Sequence, residues 1–422
     1  MDFCCLYCRK DRDTVFLQPG CDELICENRY LFRSPLLDLK QQVMGYRLAW
    51  QKTGQDGLDA GHDAACLLAA VSEGVRDIKM GMLFLDVTVA ELSPELLQLL
   101  SPQTTVFIVD GPAVADADPL SLLAPLREQG FGLALRNVDL AFLKTHAALL
   151  AYVTHVLAGF DHPELAEISV FAKLRPGAFS LIAEDIPGWP EFEACVLLGA
   201  CGLFGNLCVA PRQIERPAKL APQAQQILQL MQMVQGNADI RHLEKVLKSD
   251  VTLSYKLLRY INSAGFGLEV DIESPRHAVA MLGYAPLFRW LLLLLARTNT
   301  TGFSPALMQA AMVRGRFAEL LGHGFLSRRE AENLFVVGMF SFLDRLLGIP
   351  IQEVLGQLVL PDAVAQALAS REGLYGPVLA LAEASEREDG RVATLAQTLS
   401  MTTAHVNHAH LSAIGWAQGI KL

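Results

Sequence analysis

The sequence predicts an α/β domain followed by an all-α domain: a TIM-like barrel of alternating strands and helices, then a helical bundle. Three observations carry this. Short β-type apolar runs alternate with helical stretches through residues 28–211, which is the pattern of a parallel sheet. Pro211, Pro217 and Pro222 then punctuate a short basic stretch, a domain boundary by composition. Beyond it, helix start and stop signals follow one another with no strand-like run between them. A chain of 422 residues is long enough for two domains of roughly 200 residues, each with its own core. The division expected is a Cys-rich extension over 1–27, the barrel over 28–211, a linker and first helix over 212–231, and the helical domain over 232–422.

Composition narrows the function classes. The chain is 52% hydrophobic and 19% charged. Its longest solid apolar run, 290–296, falls far short of the roughly 20 residues of a membrane span. No basic segment precedes an apolar signal core, so a cytoplasmic protein with no membrane partner is expected. The net charge of −10 repels a phosphate backbone, and no Lys/Arg cluster interleaved with aromatics offsets it, so no nucleic-acid partner is expected. Nine cysteines in a reducing compartment are expected as free thiols or metal ligands rather than disulfides.

In the first 27 residues Cys5, Cys8, Cys21 and Cys26 form two close pairs that can close a tetrahedral zinc site. The other reading is that these thiols fill space beside short strands, because free cysteine is among the most buried residues. A structural zinc ion at the N-terminus is thus the one cofactor the sequence offers.

The barrel strands are expected at 31–36, 43–50, 82–87, 105–109, 132–135, 168–171, 181–182 and 203–209, with helices at 120–129 and 140–157 between them. In such a barrel the chemistry sits at the C-terminal ends of the strands. Those ends are therefore where carboxylates are to be sought.

In the second half, Asp250 caps a helix whose Leu253, Leu257, Leu258 and Ile261 share one face, and Asn262, Gly265 and Gly267 end it. Ser274 and Pro275 open a second helix that Gly283 closes; Pro286 opens a third, apolar almost all round. Ser304-Pro305 begins another, and Ser327 with Glu330 forms a capping box before an apolar helix over 331–347. Further helices are expected at 351–358, 361–370, 377–385 and from 392 onward. Phe266, Tyr284, Phe288 and Trp290 either line a partner-binding groove or fill the core. His405, His408 and His410 fit a metal site or, at their i, i+3 spacing, polar helix surface.

The stretch from Leu253, Leu257 and Leu258 through Asn262-Ser263-Ala264, Ile272-Glu273-Ser274, Ala278 and Leu282-Gly283 resembles the HDOD domain, an all-α relative of the HD phosphohydrolases that typically lacks their metal-binding residues. The front half resembles the EAL domain, a barrel phosphodiesterase that cuts cyclic di-GMP with metal-bound water. That likeness rests on Ser34 to Asp38, Val43 to Tyr46, Phe84 to Val87, 132–135, Ala183-Glu184, Glu191 to Ala194 and 203–211. Together the two halves resemble the EAL-HDOD, YuxH-like, bacterial signal-transduction proteins with a degenerate EAL domain.

Against the EAL pattern the departures carry the weight. The family's signature glutamate falls on Arg47, its second-strand asparagine on Asp86, and its third-strand glutamate on Ile108 or Val109. Its paired aspartates fall on Arg136-Asn137 and its late glutamate on Pro187, while Glu184 keeps the earlier one. Metal-assisted hydrolysis needs several hard oxygen ligands, and two arginines oppose a divalent cation. The resemblance with these departures implies a non-catalytic signalling protein acting through contacts with other signalling proteins, as a monomer or a homodimer. One alternative is a non-hydrolysing cyclic di-GMP receptor gripping the nucleotide through Arg47, Asp86 and Arg136; another is a zinc or redox sensor built on the N-terminal cysteines. The arginines also have a purely structural reading, in which they pair with Asp86, Asp110 or Asp139.

Overall fold

The computed structural model describes residues 29–51, 66–67, 70–71, 81–88, 92, 94–98, 100–116, 119–208, 222–262, 272–296, 304–347, 350–356, 360–387 and 389–419. Eight strands close a barrel in sequence order: β1 (Leu31–Leu37), β2 (Val43–Trp50), β3 (Met82–Asp86), β4 (Thr105–Asp110), β5 (Gly132–Arg136), β6 (His155–Gly159), β7 (Ser180–Glu184) and β8 (Gly202–Phe204). β1 runs antiparallel to both neighbours, β2 and β8, and every other pairing is parallel.

The strands read as near-continuous apolar runs because both faces are covered. Leu36, Phe84, Val106, Ile108, Ala134, Leu157, Ile182 and Phe204 plug the barrel. The alternate residues, such as Leu85, Phe107, Leu135 and Val156, face the surrounding helices. Gly45 is required where β2 meets β3, since a Cβ there would lie 2.0 Å from the Met82 carbonyl oxygen.

Two expected barrel elements change type. The stretch 140–157 is not one helix: Leu140–Thr145 is helical, Ala147–Ala151 is a 3-10 turn, and β6 begins at His155. Residues 168–171 belong to the helix Leu165–Lys173, in which Leu165, Ile168 and Phe171 recur at helical spacing and are buried.

From Pro222 the described chain is helical. Asp250, Ser274 and Ser327 cap their helices through Leu253 N, His277 N and Glu330 N, and Ser327 and Glu330 form the full capping box. The helix expected over 331–347 is two, Arg328–Phe340 and Leu343–Leu347. At the bend Ser341 Oγ donates to the Gly338 carbonyl and accepts from Arg314 Nη1. Among the described residues no single helix is long and apolar enough to cross a membrane. Among the described residues Cys195, Cys201 and Cys208 are free thiols.

The helical region grips one side of the barrel. The Pro305–Gly322 helix packs on β2 and the Gly376–Ser385 helix on β1. Arg33 projects outward from β1 and donates to Glu386 (3.1 Å) and to His410 Nε2. Glu386 also accepts two bonds from Arg314 Nε at 3.0 and 3.1 Å. Asn407 behaves as an extra strand residue: its Oδ1 accepts from Leu31 N and its Nδ2 donates to the Arg29 carbonyl. Gln51, at the end of β2, donates to the Ser385 carbonyl and accepts from Asp389 N. Buried charges persist only when paired and hydrogen-bonded, and Arg33, Arg314 and Glu386 satisfy one another in this way.

Candidate functional site

Inward-facing residues at the C-terminal ends of β3, β5 and β7 are Asp86, Arg136 and Glu184, and Arg47 on β2 joins them. Arg47 Nε donates to Asp86 Oδ2 (2.8 Å) and its Nη1 to Glu184 Oε2 (3.4 Å). Arg136 donates to both Glu184 oxygens at 2.8 and 2.9 Å and, through Nη1, to Asp86 Oδ1. Each carboxylate therefore serves both guanidiniums. Burial alone would lower the Arg136 pKa, but the charges of Asp86 and Glu184 outweigh it and hold the guanidinium above its ordinary value.

The backbone turns sharply just after two of these residues. Asn137 (φ 58°) follows Arg136 and Asp185 (φ 57°) follows Glu184, both left-handed, a conformation that Asn and Asp tolerate better than other side chains. Asn137 Nδ2 donates to Asp110 Oδ1 (2.7 Å), so Asp110 does not pair with the arginines. Asp139 caps its own helix through Phe142 N. Of the three anionic partners expected for the arginines, only Asp86 is in place; Glu184 is the partner that sequence reasoning did not pair with them. Its signal was the carboxylate that closes the short apolar run 181–183.

The quartet is charge-balanced but unequally exposed. The Glu184 side chain is 7% exposed and the Asp86 side chain 32%. Glu184 is thus an anchor, while Asp86 reaches the solvent side. The two guanidinium forks have the planar geometry that matches phosphate oxygens.

A divalent cation does not fit these residues. Asp86 and Glu184 are both engaged by arginines, and among the described residues no three His, Cys, Asp or Glu side chains are grouped to share an ion.

The remaining sequence candidates lie elsewhere. Phe288 and Trp290 are buried in the helical core, not in a groove, because they face inward from a helix that is apolar on most sides. Tyr284 is half-buried and donates its hydroxyl to the Ala238 carbonyl, a helix-to-helix tie. Phe266, Cys5, Cys8, Cys21 and Cys26 lie outside the described residues. His410 is neither metal ligand nor surface: it is buried, stacks on Phe317, and accepts from Arg33. Burial, and then the Arg33 charge, lower its pKa well below the usual histidine value.

The fold and the mouth can now be set beside known proteins. Residues 218–347 match the HDOD domain. That match begins just before the helix Pro222–Gln235. Over 405 residues, 93% of each chain, the sequence is 27% identical to the cyclic di-GMP phosphodiesterase CdgJ of Vibrio cholerae. It is 23% identical to the YuxH protein of Bacillus subtilis over 93% of this chain and 98% of that one. Among solved structures, the EAL domain of Mycobacterium smegmatis DcpA aligns with a TM-score of 0.35 at 14% identity, covering 42% of this chain and 90% of that one. The Bacillus subtilis YkuI protein, which has an EAL domain, aligns with a TM-score of 0.37 at 15% identity, covering 60% and 73%.

The similarity to CdgJ corrects the expectation that this chain is not an enzyme and works only through contacts. A relative matching nearly end to end is a phosphodiesterase. Missing cation ligands argue against one route to hydrolysis, not against the reaction, since charge on a phosphodiester can be met by guanidiniums as well as by a metal.

Proposed function

We propose that the protein is a cyclic di-GMP phosphodiesterase whose site is the C-terminal mouth of the barrel. The observation that carries the reading is the pair of guanidiniums, Arg47 and Arg136, held side by side against Asp86 and Glu184. The whole-length similarity to CdgJ supports the substrate and the reaction.

In this reading Arg136, bound to the deep Glu184, keeps its place and meets one phosphate oxygen. Arg47 turns its fork from Asp86 to the phosphate. Asp86, still bonded through Oδ1 to Arg136 but released by Arg47 at Oδ2, accepts a proton there from the attacking water. The water oxygen bonds to phosphorus, the bond from phosphorus to a ribose oxygen breaks, and that oxygen takes a proton from solvent water, giving a linear dinucleotide. The two guanidiniums offset the negative charge that builds on the phosphoryl oxygens in the transition state, where fixed donors contribute most.

Isothermal titration calorimetry with cyclic di-GMP tests the binding half of this account. The intact chain is expected to bind, and Arg136→Met to weaken binding at least tenfold, as loss of a charged hydrogen-bonding group implies by roughly 1.5–3 kcal/mol. Equal affinity in the variant would move the site away from the mouth.

A further inference from the structure

Single apolar side chains on a protein surface need no explanation, but a group of them does. On one flank of the barrel Leu197 is 85% exposed, Leu174 73% and Val170 54%, and the two leucines are the most exposed large apolar side chains among the described residues. Val170 lies on the Leu165–Lys173 helix and Leu174 caps it; Leu197 lies on the Trp189–Leu198 helix. The two helices follow β6 and β7, which are parallel neighbours, so they run side by side in one direction. Their C-terminal ends are tied, since Lys173 Nζ (2.7 Å) and Ser169 Oγ both donate to the Leu198 carbonyl. Their inner sides are already satisfied: Ile168 and Phe171 of one helix and Phe192 and Cys195 of the other are buried.

The outer face has a direction. Residues three and four apart share one side of a helix, and Ala166, Glu167, Val170, Lys173 and Leu174 all point out from the first helix. Glu193, Ala194 and Leu197 point out from the second. The alanines and both acids therefore lie toward the helix N-termini. The leucines and Lys173 lie toward the C-termini, followed by the exposed Arg175, whose guanidinium rests 3.9 Å over the Phe171 ring. Val170 sits midway between Glu167 and Lys173, and midway between Ala166 and Leu174. Turned end for end about a two-fold axis through Val170, the face complements itself, with leucine on alanine and acid on base. The charges of Glu167, Glu193, Lys173 and Arg175 cancel, whereas the whole chain carries −10. Two copies repel one another over most of their surface but not here, and a neutral face has no pull on anionic lipid or nucleic acid.

We propose that this flank is a homodimer interface, in which the Leu165–Lys173 helix packs antiparallel on its counterpart from a second copy of the chain, with Val170 at the axis. The helices are 9 and 10 residues long. Each is about 15 Å in length, and together they offer a face on the order of 300 Å². That is well below the roughly 800 Å² per partner of a tight complex, so the dimer forms and parts with concentration. It occupies the β6–β7 flank, whereas the helical region packs on β1 and β2.

Sedimentation velocity of the full chain at low salt, from about 1 μM to about 200 μM, spans the range of such weak association. The wild-type chain is expected to pass from monomer to dimer across that range. Leu197→Glu is expected to stay monomeric with the wild-type urea midpoint, because so exposed a side chain holds little of the fold. Tyr255→Glu, at a 62% exposed position in the helical half, is expected to dimerise as wild type does. Glu167→Lys with Glu193→Lys, and separately Lys173→Glu with Arg175→Glu, should each weaken self-association at least tenfold, since like charges then face each other. An equal mixture of these two charge variants should dimerise again, because every end then meets its opposite. A wild-type chain that stays monomeric throughout, as it would if the face served a membrane or another protein, overturns the proposal. So does a dimer that Leu197→Glu leaves intact, or a mixture no more associated than either charge variant alone.

Discussion

His155 sits inside the barrel beneath the plug, edge-on to Phe84, with Thr154 Oγ1 2.8 Å from its Nδ1. Burial, helped by the Arg127 charge, lowers its pKa to about 4. The unfolded chain takes up this proton near pH 6.5 and the folded chain only near pH 4, so stability is full above 6.5 and is lost as pH falls through that window. His410 contributes in the same direction. Urea midpoints are expected to report a loss of about 2 kcal/mol from His155 between pH 7 and pH 5, and His155→Phe should flatten that slope. No change in slope would mean the imidazole is charged inside the barrel. At this scale the sequence was informative about residue type and silent about pairing. Arg47 and Arg136 stand out as cations where a cation-binding barrel has acids, and Asp86 is legible beside them. That Glu184 serves both arginines follows from barrel closure and strand stagger, which no local pattern encodes. The neutrality of His155 and His410 likewise depends on what surrounds them in three dimensions.

Helices and strands with their own punctuation were legible, and those that depend on neighbours were not. Asp250, Ser274 and Ser327 announce their helices because a cap is a local interaction between a side chain and a backbone N–H three residues on. β6 was hidden because His155 to Gly159 is too short and apolar to separate by periodicity from the helical stretch before it. The bend at Ser341 was equally invisible, since it depends on Arg314 from another helix. The crossing of the Pro305–Gly322 and Arg328–Phe340 helices shows how tightly such contacts are set. A Cβ on Gly338 would stand 2.7 Å from both the Arg314 carbonyl oxygen and the Gly315 Cα. Gly338→Ala is therefore expected to force the helices apart and cost about 1–3 kcal/mol, seen as a lower urea midpoint with an unchanged slope. A neutral result would mean that the crossing yields freely.

Across the whole molecule the two halves share one apolar core, with Leu31, Tyr46 and Leu48 of the barrel in the same buried cluster as Ala306, Phe317 and Leu411 of the helical region. The sequence predicts a proline-marked join between two halves, but composition cannot reveal that the second half packs on the β1–β2 hairpin. Arg47 meets Asp86, Arg136 and Glu184 because β2, β3, β5 and β7 close into one barrel, so the account assigns the site to the barrel. The expectation of a non-catalytic protein came from judging the barrel against a single chemistry, metal-bound water, so the arginines were read as gripping a nucleotide without cutting it or as pairing with nearby aspartates. The most direct measurement is chromatography of cyclic di-GMP after incubation with the purified full-length chain and with Arg136→Met. The account predicts that the wild-type chain converts the nucleotide to its linear, ring-opened dinucleotide and that the variant does not; cyclic di-GMP recovered intact from the wild-type reaction, or opened equally well by the variant, would contradict it.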